Sequence, residues 1–305
     1  MRKKAIVLGA AGFVGRHVGL ALDAAGFLVS GIGHGTWSRD EWRRWGLAEW
    51  HSADVDGEAL LTYAGEPDVI IQCAGSGSVA FSMTHPVQDY QRSVTSTLAA
   101  LEFVRVHAPR CRLVLPSSAA VYGAVRTMPI KIDGPRHPQS PYGVHKIIAE
   151  ELCRSYGRTF GLSVAIVRLF SVYGAGLRKQ LLWDGCVKLS DGRAIFGGTG
   201  DEARDWLHAQ DAASLLVTAG DHAAPDCPTV NGGSGEAVSI RDVVTMLNEA
   251  LGHPGEIHFS GERRGGDPDV YQADVAGALD WGWSPRWSLA NGIADYAGWY
   301  RQGAL

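Results

Sequence analysis

The sequence predicts an α/β fold: a doubly wound parallel sheet with a smaller C-terminal lobe. Three observations carry that prediction. Short apolar runs alternate with helical runs from the start of the chain. The runs are apolar on both faces, as strands are when helices cover each side of a parallel sheet. After about residue 175 the alternation loosens, Gly and Pro rise, and the segments shorten.

Taken in order, KAIVLG reads as the first strand and leads into a helix over residues 12–25. FLVSGI is the second strand, and a short third ends in HSADV. DVIIQCAG, RLVLPSS and LSVAIVRLF are three more, with helices over residues 87–106 and 142–160 between them. In the lobe, Ser239 can cap a helix that runs to Leu251. The last helix opens near Leu289 and carries Ile293, Tyr296 and Tyr300 at helical spacing. The division is residues 1–174 for the sheet domain and 175–305 mainly for the lobe, with the chain free to cross back to the sheet. Ligands of open α/β sheets lie beyond the C-terminal ends of the strands. The lobe is expected to sit there and bind substrate.

Composition narrows the function. A hydrophobic content of 46% suits a globular core, and a net charge of −4 gives no bulk attraction to nucleic acid or membranes. No apolar segment approaches the roughly 18 residues of a membrane span. The start, MRKKAIVLGA, is better read as a strand than as a signal peptide. The five cysteines are scattered, as expected of reduced thiols in the cytoplasm. The eleven His show no metal spacing, so no metal is expected.

GAAGFVG places Gly9, Gly12 and Gly15 between the first strand and its helix. Gly9 suits a tight turn, Gly12 lets a pyrophosphate approach the backbone, and Gly15 allows close helix packing. A plain Gly-rich turn is the alternative, but the position makes the fold Rossmann-like. Asp54 can accept from an adenine amino group. The second strand ends in Gly33 and His34 where an acid usually holds the adenosine ribose. Without the acid, the extra phosphate of NADP is not repelled, and Gly33 is expected to leave space for it. Ser38-Arg39-Asp40-Glu41 fits a capping box, so His34 and Arg39 beside a helix start form a candidate phosphate site.

Tyr142 and Lys146 are four apart on a predicted helix and share a face. Chance gives about 0.2 such pairs in a chain of this composition. A Tyr hydroxyl ionises too high for a base at neutral pH, and a nearby ammonium favours the phenolate. The phenolate can take a proton from a sugar hydroxyl, with Ser118 holding that hydroxyl in line. In the lobe, Arg204, Arg263 and Arg264 are candidate ligands for a diphosphate.

Together GAAGFVG, SSAAVYG, PYGVHK, RLFSVYG, RDWLHAQD, RRGGDPDVYQAD and WGWSP resemble the extended short-chain dehydrogenase/reductase superfamily. The nearest branch is the NAD-dependent epimerase/dehydratase family, of the UDP-galactose 4-epimerase type. The resemblance implies that Ser118, Tyr142 and Lys146 are catalytic. It implies that Phe13, Val14, Asp54, Val55, Cys73, Ala74 and Gly75 line NAD or NADP, with Ser93 where an Asn often faces the cofactor. It implies that Ser171, Gln180, Phe196, Arg204, Arg264, Asp267 and Tyr271 hold a nucleoside-diphosphate sugar. A homodimer through two helices per subunit is also implied. Tyr90, Val94, Leu98 and Leu101 fit one apolar stripe, and Ile147, Ile148 and Leu152 offer a second.

The departures are informative. Dehydratases of the family carry Thr-Asp-Glu where this chain has Ser118-Ala119-Ala120, and decarboxylases also carry a Glu there. Both activities are disfavoured. Ser171 replaces a usual Asn. The expected function is an NAD(P)-dependent sugar-nucleotide 4-epimerase acting through a 4-keto intermediate. An NADPH-dependent 4-keto reductase is the alternative, since it needs the same three residues. A non-catalytic NAD(P)-binding regulator is a third reading, against which the Tyr–Lys pair argues.

Overall fold

A computed structural model describes residues 2–253, 255–262 and 269–303. Its strands are β1 (Lys4–Leu8), β2 (Leu28–Gly33), β3 (Glu49–Ser52), β4 (Val69–Gln72), β5 (Arg112–Ser118), β6 (Val164–Leu169), β7 (Ser171–Tyr173), β8 (Ile195–Phe196), β9 (Ala203–His208), β10 (Thr229–Gly232), β11 (Ala237–Ser239), β12 (His258–Phe259) and β13 (Val270–Tyr271). The helices are α1 (Phe13–Ala24), α2 (Arg39–Arg44), α3 (Gly57–Tyr63), α4 (Val79–Thr84), α5 (Pro86–Tyr90), α6 (Ser96–His107), α7 (Pro141–Phe160), α8 (Gln180–Ser190), α9 (Ala209–His222), α10 (Ile240–Leu251), α11 (Ala276–Asp280) and α12 (Leu289–Arg301).

Seven strands form one parallel sheet in the order β3-β2-β1-β4-β5-β6-β10. β4 and β6 are buried along their whole length, as the apolar runs require. α1, with Val18 and Leu22, and α9, with Leu215 and Leu216, cover one face. α3, α6 and α7 cover the other through Leu60, Leu101, Val104 and Cys153. The strand order reverses between β1 and β4, so a crevice opens there at the C-terminal ends of the strands.

The lobe is built on β9, which pairs with β7, β11 and β13. α8, α10 and α12 enclose its core with Leu182, Leu189, Val243, Leu247, Ile293 and Tyr296. Ser239 caps α10 as the sequence predicts, its hydroxyl accepting from the Asp242 N–H at 3.0 Å. Between these elements the chain returns to the sheet: α9 packs on it and β10 forms its edge.

One predicted helix differs. Residues 87–106 are not a single α-helix, because α5 and α6 are joined by a π turn over Gln91–Thr95. There the Ser96 and Thr97 hydroxyls donate to the Arg92 and Ser93 carbonyls at 2.6 and 2.7 Å. The extra residue rotates what precedes it. The expected stripe therefore splits: Val94 and Leu101 are buried, while Tyr90 and Leu98 are exposed.

α7 is fixed to the sheet by buried charge. Glu150 is fully buried and takes both arms of the Arg168 guanidinium from β6, at 2.9 and 2.8 Å. The Ser117 hydroxyl donates to the same carboxylate at 2.6 Å, and Arg154 reaches it at 3.1 Å. Arg168 also donates to the Tyr122 hydroxyl and the Ile132 carbonyl. Burial alone would raise the Glu150 carboxyl, but the Arg168 fork and Ser117 outweigh it and hold it below the usual range. Glu150→Ala leaves Arg168 buried without its counter-ion. We expect it to cost about 3–5 kcal/mol in urea unfolding at neutral pH. The wild-type contribution is present above the unfolded carboxyl pKa and is lost as pH falls through the lower folded value. The loss from Glu150→Ala should therefore shrink in acid; a loss that did not change with pH would mean the carboxylate is not what holds the pair.

Candidate active site

The crevice begins at the Gly-rich turn. Gly9 has φ +75°, and a Cβ there would lie 2.7 Å from the Ala74 backbone. A Cβ at Gly15 would lie 2.3 Å from the Gly9 carbonyl oxygen. Only glycine lets β1, α1 and the end of β4 approach this closely. Gly12 is the N-cap of α1 and supplies no side-chain cap, so the first-turn N–H groups stay free for an anion. Opposite, the Ser93 hydroxyl is buried without a partner, 3.3 Å from where a Gly75 Cβ would stand. These features fit a dinucleotide: an open cradle, unused donors and an unspent hydroxyl. Phe13 and Val14 open α1 directly after the turn and the Ala74 backbone lies against Gly9, while Val55 packs with the core under α3, α6 and α7; Asp54 is exposed. Cys73 is a half-buried free thiol that burial pushes up to about 12.

Past β2 the structure corrects one expectation. Gly33 does not leave open space: a Cβ there would meet Gly9 Cα at 3.2 Å and the Trp50 ring at 3.4 Å. Its own lack of a side chain is used in packing. α2 does start at Ser38 with the capping box complete. His34 Nε2 lies 3.0 Å from Asp54 Oδ1, both side chains well exposed, and Arg39 is exposed.

The catalytic candidates converge where β5 and α7 end and begin. Ser140 caps α7 by accepting from the Gly143 N–H, and Pro141 occupies the first turn. Tyr142 and Lys146 follow on one face, with the ammonium 5.8 Å from the Tyr142 ring centroid. Lys146 is buried and donates to the Pro116 carbonyl at 2.9 Å, which ties α7 to β5. Ser118 closes β5, and its hydroxyl accepts from the Ala120 N–H at 3.1 Å.

On the lobe side, Ser171, Gln180, Phe196 and Arg204 line a single cavity of about 590 Å³. Gln180 adopts φ +68°, a strained backbone for a residue with a Cβ. Tyr271 is placed otherwise: its hydroxyl lies between the Ala119 and Gly123 carbonyls, at 2.8 and 2.9 Å, and supports the loop after Ser118. Arg263, Arg264 and Asp267 lie outside the described residues.

Three features had no sequence signal. Asp89, fully buried, accepts from the Ser76 hydroxyl and stands 2.5 Å from His145 Nδ1 on α7. This joins the loop after β4 to the helix that carries Tyr142. Lys179 reaches from the lobe to the Gly77 carbonyl at 3.0 Å. Asp205 on β9 accepts from Ser234, Gly235 and Ala273, knitting the lobe strands to the loops beside them. Among the described residues no cluster of His, Cys, Asp and Glu could hold a metal, and no helix is long and apolar enough to cross a membrane.

Residues 5–232 match the model of the NAD dependent epimerase/dehydratase family. The chain is 32% identical to the UDP-glucose 4-epimerase of Azospirillum brasilense, across 96% of this chain and 90% of that one. The UDP-glucuronic acid 4-epimerase from Bacillus cereus, solved with UDP-glucuronic acid and NAD, is 25% identical, with a TM-score of 0.85 over 98% of this chain and 99% of that one. The UDP-glucose 4-epimerase of Thermotoga maritima, solved with UDP-glucose, is 23% identical and shares the fold at a TM-score of 0.88 over 98% and 99%. The family match covers the whole sheet, and the Azospirillum relative extends it through the lobe. The chain belongs to the NAD-dependent epimerase/dehydratase family.

Proposed function

We propose that the protein is a UDP-sugar 4-epimerase that uses NAD and also accepts NADP. The observation that supports this is the Tyr142–Lys146 pair on one face of α7, tied by Lys146 to the strand that ends in Ser118; the lobe cavity lined by Ser171, Gln180, Phe196 and Arg204 would take the sugar nucleotide. Relatives across nearly the full length are UDP-sugar 4-epimerases, and a neighbour holds NAD beside its UDP-sugar. This favours the epimerase over the 4-keto reductase.

Gly9, Gly12 and the free N–H groups of α1 would hold the pyrophosphate, and Ser93 and Gly75 would border the other half of the cofactor. Bound there, the cofactor supplies a hydride acceptor and later a hydride donor. Ser118 aligns the sugar 4-hydroxyl, and the Tyr142 phenolate takes its proton as the carbon–hydrogen bond breaks. Lys146 stabilises that phenolate by charge and holds α7 against β5. The resulting 4-keto sugar turns within the lobe while Arg204 keeps the diphosphate. Tyr142 returns its proton to the 4-oxygen when hydride is delivered to the opposite face. Ala119 and Ala120 stand where the family's dehydratases carry an acid pair, which disfavours elimination.

NADP acceptance rests on the missing acid at the end of β2. The homodimer would use α5–α6 and α7, whose exposed apolar side chains include Val87, Tyr90, Leu98 and Val144. We assign the protein to the cytoplasm.

Incubation with UDP-galactose or UDP-glucuronate, followed by separation of epimers, tests the reading. Interconversion without added cofactor, and release of NAD on denaturation, are expected. A product formed only with stoichiometric NADPH would establish the reductase instead. Tyr142→Phe should lower turnover about 10²-fold or more, the scale of general acid–base catalysis. Cofactor should stay bound, because the ring is retained. Near-normal turnover would sink the mechanism. Arg204→Ala should raise KM for the UDP-sugar with little change in turnover, by about 1.5–3 kcal/mol for a lost charge-assisted bond. An unchanged KM would remove Arg204 from the diphosphate site. Light scattering at micromolar concentration should give twice the chain mass; a monomer with full activity would refute the dimer.

A further inference from the structure

We propose that Arg16 receives the 2′-phosphate of an NADP-type cofactor, at a site walled by Trp37 and Trp45. The inference rests on the dinucleotide reading and names the residue that would set cofactor selectivity. It replaces His34 and Arg39 in that role.

The wall begins at the end of β2. Trp50 lies against Gly33, and Trp37 meets Trp50 edge-on with ring centroids 5.3 Å apart. Arg16, on the first turn of α1, places its guanidinium carbon 5.6 Å from the Trp37 ring and 5.3 Å from the Trp45 ring. Its Nη2 donates to the Ala11 carbonyl at 2.7 Å, which holds the head group at the rim of the Gly-rich turn. The head group thus lies beside the Gly-rich turn and the Trp37 and Trp45 rings, with Gly176 of the loop after β7 against its other side; in this fold the adenosine ribose lies near the end of β2.

The charge there is unbalanced. Arg16 Nε is buried with no partner, and among the described residues no carboxylate pairs with this side chain. Arg178, from the loop after β7, faces it with the same sign. Glu41 is the one acid nearby, and its carboxylate is already bound to the Ser38 hydroxyl and N–H. Burial first, and repulsion from Arg178 second, depress the Arg16 guanidinium, with Glu41 opposing. A half-buried cation without a counter-ion is costly, and a phosphate at the outer edge of the fork relieves that cost by charge. The two indoles hold the fork flat and pre-aimed, an arrangement Arg accepts and Lys does not. His34 already stands against Asp54, and Arg39 lies outside this wall on an exposed turn.

Trp fluorescence and calorimetric titrations with NAD and NADP test the assignment on wild type, Arg16→Met, Arg16→Lys and Glu41→Gln. Arg16→Met should cost NADP about tenfold more affinity than it costs NAD. Arg16→Lys, which keeps the charge, should recover part of that difference. Glu41→Gln should favour NADP, by removing a like charge from the phosphate. Equal losses for both nucleotides in Arg16→Met would overturn the proposal and make Arg16 a ligand of their shared part or a packing residue. Wild type that binds NAD and not NADP would also overturn it, while leaving the dinucleotide site standing. Failure to bind either nucleotide would refute the dinucleotide reading itself.

Discussion

The placement of the candidate catalytic residues depends on one buried ion pair. Glu150 on α7 and Arg168 on β6 meet with two hydrogen bonds and no solvent, and Ser117 on β5 joins them. Glu150 is one turn beyond Lys146, and Ser117 is the neighbour of Ser118. The pair thus fixes β5, which ends in Ser118, and α7, which carries Tyr142 and Lys146, relative to each other. An apolar replacement could be as stable, but it would not fix the helix in register along the strand. The Arg168 fork accepts one placement of the carboxylate, and the Tyr122 hydroxyl and Ile132 carbonyl fix the fork itself. Tyr122 in turn donates to Asn231 on β10, whose amide donates to the Ile130 carbonyl in the loop between β5 and α7 and to the Asp274 carbonyl just after β13. One network runs from α7 through the sheet to the edge of the lobe.

The second constraint is closeness. β1, α1 and the end of β4 converge at Gly9, with distances that no side chain tolerates. Close backbones leave unused N–H groups at α1 and an open floor. The loop after β4 then has to be held from elsewhere. Asp89 holds it from below through Ser76 and reaches the catalytic helix through His145, while Lys179 holds it from the lobe through Gly77. A displacement of this loop would be felt at both the helix of Tyr142 and the lobe.

Much of this was legible in the sequence because it rests on local rules. The apolar runs became the strands of the sheet, Ser239 and Ser140 became caps, and Tyr142 and Lys146 share a face because four residues make about one helical turn. What was not legible depends on distance in space. Glu150 and Arg168 are ordinary charged residues until the fold brings them together. Asp89 and His145 lie in different helices and match no motif. The π turn was missed because a helical pattern does not reveal one inserted residue. Gly33 was misread for a related reason: a missing side chain in a sequence looks like space, and here Gly9 and Trp50 fill it.

That misreading also explains the tryptophans. Four of the ten lie between Trp37 and Trp50, beside the position that lacks an acid. An acid at the end of β2 recognises ribose by hydrogen bonds and excludes a phosphate by charge. Here the same edge is built from indole rings, with Trp50 against Gly33, Trp37 against Trp50, and Arg16 between Trp37 and Trp45. Those rings need close backbone, so a Cβ at Gly33 and the stack compete for one volume. Restoring the acid would therefore do two things at once: add a negative charge and press on Gly9 at the floor of the cradle. Loss of NADP binding in Gly33→Asp could come from either, so that substitution cannot isolate the electrostatics. A change at Arg16 leaves Gly9 and Trp50 in place and gives up one bond to the Ala11 carbonyl, so the guanidinium, rather than the missing acid, is the place where cofactor preference can be tested as electrostatics.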